Sequence, residues 1–186
     1  MVTVPAYFTK AQKKATMDAC KIAGLECLRL ISEPTAASIA YRLKENDAAD
    51  WDDRAVLVFD FGGGTLDVSI LNIVDYSMEV CSTSGNTFLG GRDFDKALYE
   101  LCNERLKAEL DINLGVMQEQ ATTSQEALRD ACEKAKKELS VEGVDTATIT
   151  LTNINGSGRD FSTVVTLAEF NNCIAKFTDD YLACMT

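Results

Sequence analysis

The chain has 186 residues, with 29 acidic and 18 basic side chains, a formal net charge of −11 and 46% hydrophobic content. That is enough apolar material for one globular domain or two small subdomains, and the acidic excess argues against nucleic acid or an anionic membrane as the main partner. No apolar run is long enough to cross a membrane and no signal-peptide pattern opens the chain, while the absence of histidine removes every histidine-dependent triad and the commonest metal ligand.

In chain order, residues 2–4 predict a short strand. A Thr9-x-x-Gln12 capping box opens a helix that runs to about Ala23, where Gly24 is a natural stop. "LECLRLI" predicts a second strand, ending at Ser32-Glu33-Pro34, and Pro34 suits the first turn of a helix through Ile39 to Leu43. "KENDAADWDD" is polar and acidic and reads as a connector between lobes. Val56–Phe59 is continuously apolar, as for a strand buried on both faces. Leu66, Val68 and Ile70 then alternate with Asp67 and Ser69, and "MEVCSTS" follows as a third strand. A helix after Gly90-Gly91 carries Phe94, Leu98, Leu101 and Leu106 on one stripe, and another at about Ser124–Ser140 turns Leu128, Ala131, Ala135 and Leu139 inward. Residues 146–165 predict a hairpin turning at Asn155–Gly158, so that the "NGS" at Asn155 reads as a tight turn rather than a glycosylation acceptor. A final helix begins at a Thr166-x-x-Glu169 box and carries Leu167, Phe170, Ile174, Phe177 and Tyr181 at helical spacing. The seven cysteines are odd in number, irregularly spaced and free of C-x-x-C, which predicts reduced, packed thiols in a cytoplasmic protein.

The stretch "VLVFDFGGGTLDVSIL" carries the chemistry. Three consecutive glycines are conformationally expensive to fix, so something must come close to that backbone. In a P-loop or dinucleotide fingerprint the glycine loop joins a strand to a helix. Here the residues after Thr65 alternate with period two, and neither Gly-Lys-Ser/Thr nor GxGxxG is present. A strand–turn–strand hairpin of this kind can clamp a terminal phosphate with successive backbone amides, with Thr65 adding a hydroxyl. Asp60 and Asp67, one on each side of the turn, make sense beside an anion only if a divalent cation is shared, for magnesium usually through water. An ordinary glycine-rich hairpin with two solvated aspartates is the plain alternative.

Five segments together, "VTVPAYF", "IAGLECLRLISEPTAASIAY", "VLVFDFGGGTLDVSIL", "GNTFLGGRDFDKAL" and "CEKAKKELS", resemble the seventy-kilodalton heat-shock chaperone family in order and spacing, over essentially the whole chain. The resemblance is to that family's ATPase domain and implies an α/β fold of the actin-like, sugar-kinase-like (ribonuclease H-like) type. It also implies an ATP/ADP and Mg2+ site in which Gly62, Gly63, Gly64 and Thr65 contact the β- and γ-phosphates. Asp60 would position the attacking water or take its proton, Asp67 would hold magnesium through water, and Glu33 would join the same shell. Glu133, Lys136, Lys137 and Ser140, spaced by three and four on one helix, resemble the adenosine-binding residues, although an exposed face with a weak i,i+4 Glu–Lys pair is the bland alternative. Pro5 resembles the family's proline switch, and Lys13 stands where its relay usually has an arginine.

The chain departs from the family pattern in places. Lys137 replaces a common arginine and lacks the planar guanidinium that stacks on adenine. Arg92 replaces the acidic residue usual after Gly90-Gly91, Thr9-Lys10 stands in for the usual Asn-Asp or similar pair, and residues 105–126 are less basic and slightly longer than is typical. The family's first strand–glycine turn and its separate lysine have no counterpart in these 186 residues. The chain therefore reads as the end of a first lobe (1–43), a connector (44–53) and most of a second lobe. That second lobe comprises a core sheet with the phosphate hairpin (54–90), a helical and hairpin subdomain (91–165) and a returning helix (166–186). The resemblance implies the ATP-binding portion of a chaperone whose parent hydrolyses ATP to bind and release unfolded polypeptides, served by J-domain co-chaperones and nucleotide-exchange factors. The piece alone is expected to be weakly active or inactive. The competing expectation is a non-enzymatic docking or self-associating module built from the second lobe, since exposed strand edges favour association. "SEPTAA" and "GGRDFDKAL" speak against a sugar kinase or actin relative.

Overall fold

The computed structural model describes residues 1–44, 54–74, 77–115 and 122–184. Most of the acidic connector expected over 44–53 thus lies outside the described residues. The architecture is mixed α/β, and the chain divides into two compact units, Met1–Phe88 with Tyr181–Thr186, and Leu89–Asp180.

In the first unit, β1 (Val2–Val4) pairs in parallel with β2 (Leu30–Ser32), and α1 (Lys10–Ile22) makes the crossover between them. The capping box at the head of α1 is reciprocal: Thr9 N donates to Gln12 Oε1 at 2.8 Å and Gln12 N to Thr9 Oγ1 at 3.3 Å. At its foot, Gly24 adopts φ +73°. There its amide reaches Lys21 O and that of Leu25 reaches Cys20 O, the paired bonds of a Schellman turn. This turn corrects the predicted "LECLRLI" strand. Leu25 spends its amide on the helix end, Leu25 and Leu28 are exposed, and pairing begins only at Leu30. Next, α2 (Glu33–Lys44) starts where Ser32 Oγ accepts the Thr35 amide.

The sheet of this unit is an antiparallel meander of β3 (Arg54–Phe61), β4 (Leu66–Val74) and β5 (Ser77–Asn86), with β4 central. The expectation that Val56–Phe59 is buried on both faces is overturned: Leu57 is 62% and Phe59 49% exposed. A continuously apolar run suits a strand flanked on both sides, whereas β3 lies at the edge of its sheet. The doubly covered segment is instead the start of β4, where Leu66, Asp67, Val68 and Ser69 are all buried and Ile70 is exposed. Past Ile70 the register with β5 shifts, Ile70 facing Ser82 and Leu71 facing Val80, and Leu71 and Ile73 return to the core.

The second unit is built on α3 (Gly91–Leu110) and α4 (Thr123–Leu139), which pack against the hairpin of β6 (Thr146–Leu151) and β7 (Phe161–Thr166). Leu98, Cys102 and Leu106 of α3, Leu128, Cys132 and Ala135 of α4, and Ile149, Phe161 and Val165 of the hairpin form one core. The predicted stripes hold, with Phe94, Leu101 and Ala131 at its margin. The head of α4 has a second reciprocal box, Thr122 with Gln125, and the helix starts at Thr123, one residue earlier than expected. The hairpin turns through Asn153 and Asn155, both with positive φ, and the Thr166–Glu169 box starts α5 (Leu167–Ile174). The predicted single last helix is broken. The 3-10 turn Ala175–Phe177 separates α5 from α6 (Thr178–Ala183), and Phe177 packs on Phe94 with ring centroids 5.7 Å apart.

Candidate functional site: an acidic glycine hairpin and the α4 face

Cross-strand register places Asp60 on β3 directly opposite Asp67 on β4, and the turn between them closes through Gly62 N donating to Thr65 O at 2.8 Å. Asp60 is exposed and Asp67 is 8% exposed. Burial pushes the Asp67 carboxyl above its ordinary range, the Thr65 hydroxyl bonded to it pulls the other way, and the Asp60 charge adds to the rise. Glu33, first residue of α2 and half-buried, is raised by burial and then by Asp60 and Asp67. The hairpin and α2 therefore bring the three carboxylates expected from the sequence within electrostatic reach of one another. Among the described residues, no set of three or more histidine, cysteine or carboxylate side chains is placed to ligate a metal ion directly.

The glycines supply a second observation. None of Gly62, Gly63 and Gly64 has positive φ. A Cβ added at Gly63 or Gly64 would meet nothing within 4 Å, and at Gly62 only Thr65 atoms at 3.4 and 3.8 Å. Neither backbone geometry nor crowding among the described residues requires glycine at these three positions.

Beside this cluster, Pro5 follows β1 and its carbonyl accepts the Phe8 amide at 3.2 Å in a tight turn. That turn presents Tyr7, which sequence reading passed over; burial and then the Asp67 and Glu33 carboxylates raise its phenol. Lys13 lies half-buried on the first turn of α1.

The four residues expected on one face of α4 divide between two settings. Lys137 Nζ pairs with Glu133 Oε1 at 2.6 Å in the open, lowering the Glu133 carboxyl and raising the Lys137 ammonium. Lys136 turns inward, its Nζ 2.7 Å from Asp95 Oδ1 and 3.0 Å from Gly91 O, with side-chain exposures of 18% for Lys136 and 9% for Asp95. Ser140 at the C-cap donates its hydroxyl to Lys136 O at 2.8 Å. Asp95, the residue that fixes Lys136, was not singled out from sequence, although an aspartate on the buried stripe of α3 carries that signal. Gly85 was missed too. It lies opposite Asp67 on β5, and the predicted strand stopped one residue short of it.

The family model described as Hsp70 protein matches residues 1–186. The chain is similar to a "Chaperone protein dnaK" of Cyanophora paradoxa, 44% identical over 180 residues, which is 96% of this chain and 28% of that protein. The chain thus spans just over a quarter of the length of that curated relative.

Proposed function

The chain belongs to the Hsp70 family, and on that premise we propose that it is part of an ATPase domain of actin-like fold that binds ATP and ADP with Mg2+. The observation that carries this reading is the glycine hairpin. Its three glycines are required by no backbone geometry or contact among the described residues, and an external group pressed against the amides accounts for the bare backbone. A phosphate fits that role, since consecutive amides form an anion-binding concavity.

In this reading Gly62, Gly63, Gly64 and Thr65 hold the β- and γ-phosphates, Asp60 orients the attacking water, and Glu33 and Asp67 face the metal. Three adjacent carboxylates, with the proton affinity of Asp67 and Glu33 raised, suit a divalent ion, and one that keeps its water shell needs no close set of protein ligands. Magnesium, when bound, supplies charge neutralisation to the phosphates. Ser140 and the Glu133–Lys137 pair serve adenosine, Lys136 is held ready for it by Asp95, and Pro5 and Lys13 relay the nucleotide state. The parent's cycle of gripping and releasing unfolded polypeptide, its J-domain and exchange-factor partners and a cytoplasmic setting are parts of the same proposal; seven free thiols suit a reducing compartment.

For the 186 residues alone we propose weak nucleotide binding and negligible turnover. Calorimetric titration with ATP and ADP, with and without Mg2+, tests the reading: metal-dependent binding is expected, and none at millimolar ligand would overturn it. Turnover equal to a complete chaperone would refute the second part. Exposed Leu57 and Phe59 on edge strand β3 favour a second reading, self-association through that edge. A strict monomer at high concentration in sedimentation would exclude it.

A further inference from the structure

Gly85 sits on β5 directly opposite Asp67, so that β4 carries Asp67 between Asp60 on one side and Gly85 on the other. Its backbone lies outside the left-handed region, so conformation does not explain the glycine. Space does. A Cβ built on Gly85 would collide with the Leu66 carbonyl oxygen and stand 3.4 Å from both Asp67 Cα and Asp67 Oδ1. The obstruction is backbone, which cannot swing aside as the end of a flexible side chain can. Leu66 and Asp67 are themselves buried in the central strand, with Leu66 fully enclosed. Relief therefore has to come from changing the spacing of β4 and β5 at Asp67, the one place where the added Cβ meets backbone. The contrast with Gly63 and Gly64, where a Cβ would meet open space, separates two uses of glycine within one sheet.

We propose that Gly85 is a positioning residue for Asp67: the missing side chain lets β4 approach β5 closely enough to set the Asp67 carboxylate over the bare backbone of residue 85, opposite Asp60. The inference rests on the nucleotide–magnesium reading above and adds to it the residue that aims the metal-facing carboxylate. Residues that orient such a group from behind typically cost 10- to 100-fold in metal affinity when changed.

The test is a double-mutant cycle on the 186-residue chain, titrated with ADP in Mg2+ and again in EDTA. The readout is the ratio of the two affinities. Gly85→Ala is expected to cut the Mg2+ enhancement about tenfold, with the EDTA affinity and far-UV circular dichroism preserved. In an Asp67→Asn background, Gly85→Ala should cause no further fall in the ratio. Equal loss with and without metal, or loss of the fold, assigns Gly85 a merely structural role and overturns the inference. A wild-type enhancement that Gly85→Ala leaves intact also overturns it, while the nucleotide reading stands. A wild-type chain with no enhancement at all sinks that reading and this inference together.

Discussion

Asp60 and Asp67 face one another across β3 and β4, one exposed and one buried, each one residue from the four-residue glycine-and-threonine turn that joins the strands. Two carboxylates in that relation, with Glu33 beside them, work against the fold. Because the folded-state carboxyls of Asp67 and Glu33 are raised, the folded chain holds protons that the unfolded chain has already released. Stability should therefore fall as pH rises through the window between the ordinary carboxylate value and the raised one. Asp67→Asn should raise the thermal midpoint at neutral pH by about 1–3 °C and flatten that dependence. A lower midpoint for Asp67→Asn in a pH series would count against the repulsion argument.

Gly63→Ala and Gly64→Ala separate ligand from fold. Each adds a Cβ into open space, and fewer unfolded conformations should give a gain of about 0.4–1 kcal/mol in urea melts. Phosphate binding should weaken at least tenfold, measured by ADP titration. Variants that bind ADP as the wild type does would remove the glycines from the site.

The buried Lys136–Asp95 pair makes a different prediction. Lys136→Met leaves the Asp95 carboxylate uncompensated and should cost about 3–5 kcal/mol. Adding Asp95→Leu in the same chain should recover most of that loss. Equal destabilisation of single and double variants, read from denaturant midpoints, would show that the pair is not what ties α3 to α4.

Arg105 donates to Thr163 Oγ1 at 3.0 Å and to Val164 O at 2.8 Å and pairs with Glu169, whose other oxygen accepts the Thr166 amide at 2.9 Å. The Thr166 amide and hydroxyl, ahead of the arginine, hold the Glu169 carboxyl below its ordinary range. Its contribution is therefore complete above the usual carboxylate pKa and is lost as pH falls through the lowered value. Glu169→Gln should blunt acid destabilisation of the second unit, and Thr166→Ala should cost about 0.5–2 kcal/mol through the lost cap. Acid titration followed by tyrosine fluorescence checks both.

In the second unit, Leu128→Ala removes a fully buried side chain from the shared core and should cost about 2–5 kcal/mol. A loss under 1 kcal/mol in urea unfolding would mean that α4 is not packed as described.

Features fixed by near neighbours in the chain were legible in the sequence. The Thr9 and Thr166 boxes each lie within four residues, and the stripes of α3 and α4 repeat every turn. Features that depend on which strand lies beside which were not. Val56–Phe59 looks the same at the edge of a sheet as in its middle, and only the pairing of β3 with β4 decides. Of the site, Asp60, Asp67 and the glycines were visible because they cluster around one turn, whereas Glu33, on α2, came only with the family resemblance. Tyr7 and Gly85 were not, because the parallel pairing of β1 with β2 and the register of β5 bring them there from 60 residues before and 18 residues after Asp67.

The central position of β4 has a mechanical consequence. Asp67 is laddered to a neighbour on each side, whereas Gly63 and Gly64 lie between strands with no partner strand across from them. Amide exchange should be slow at the first and fast at the second, so a bound nucleotide would meet a stiff post for its metal and a supple clasp for its phosphate. On the proposed function, departure of the terminal phosphate would slacken the clasp while the post stands.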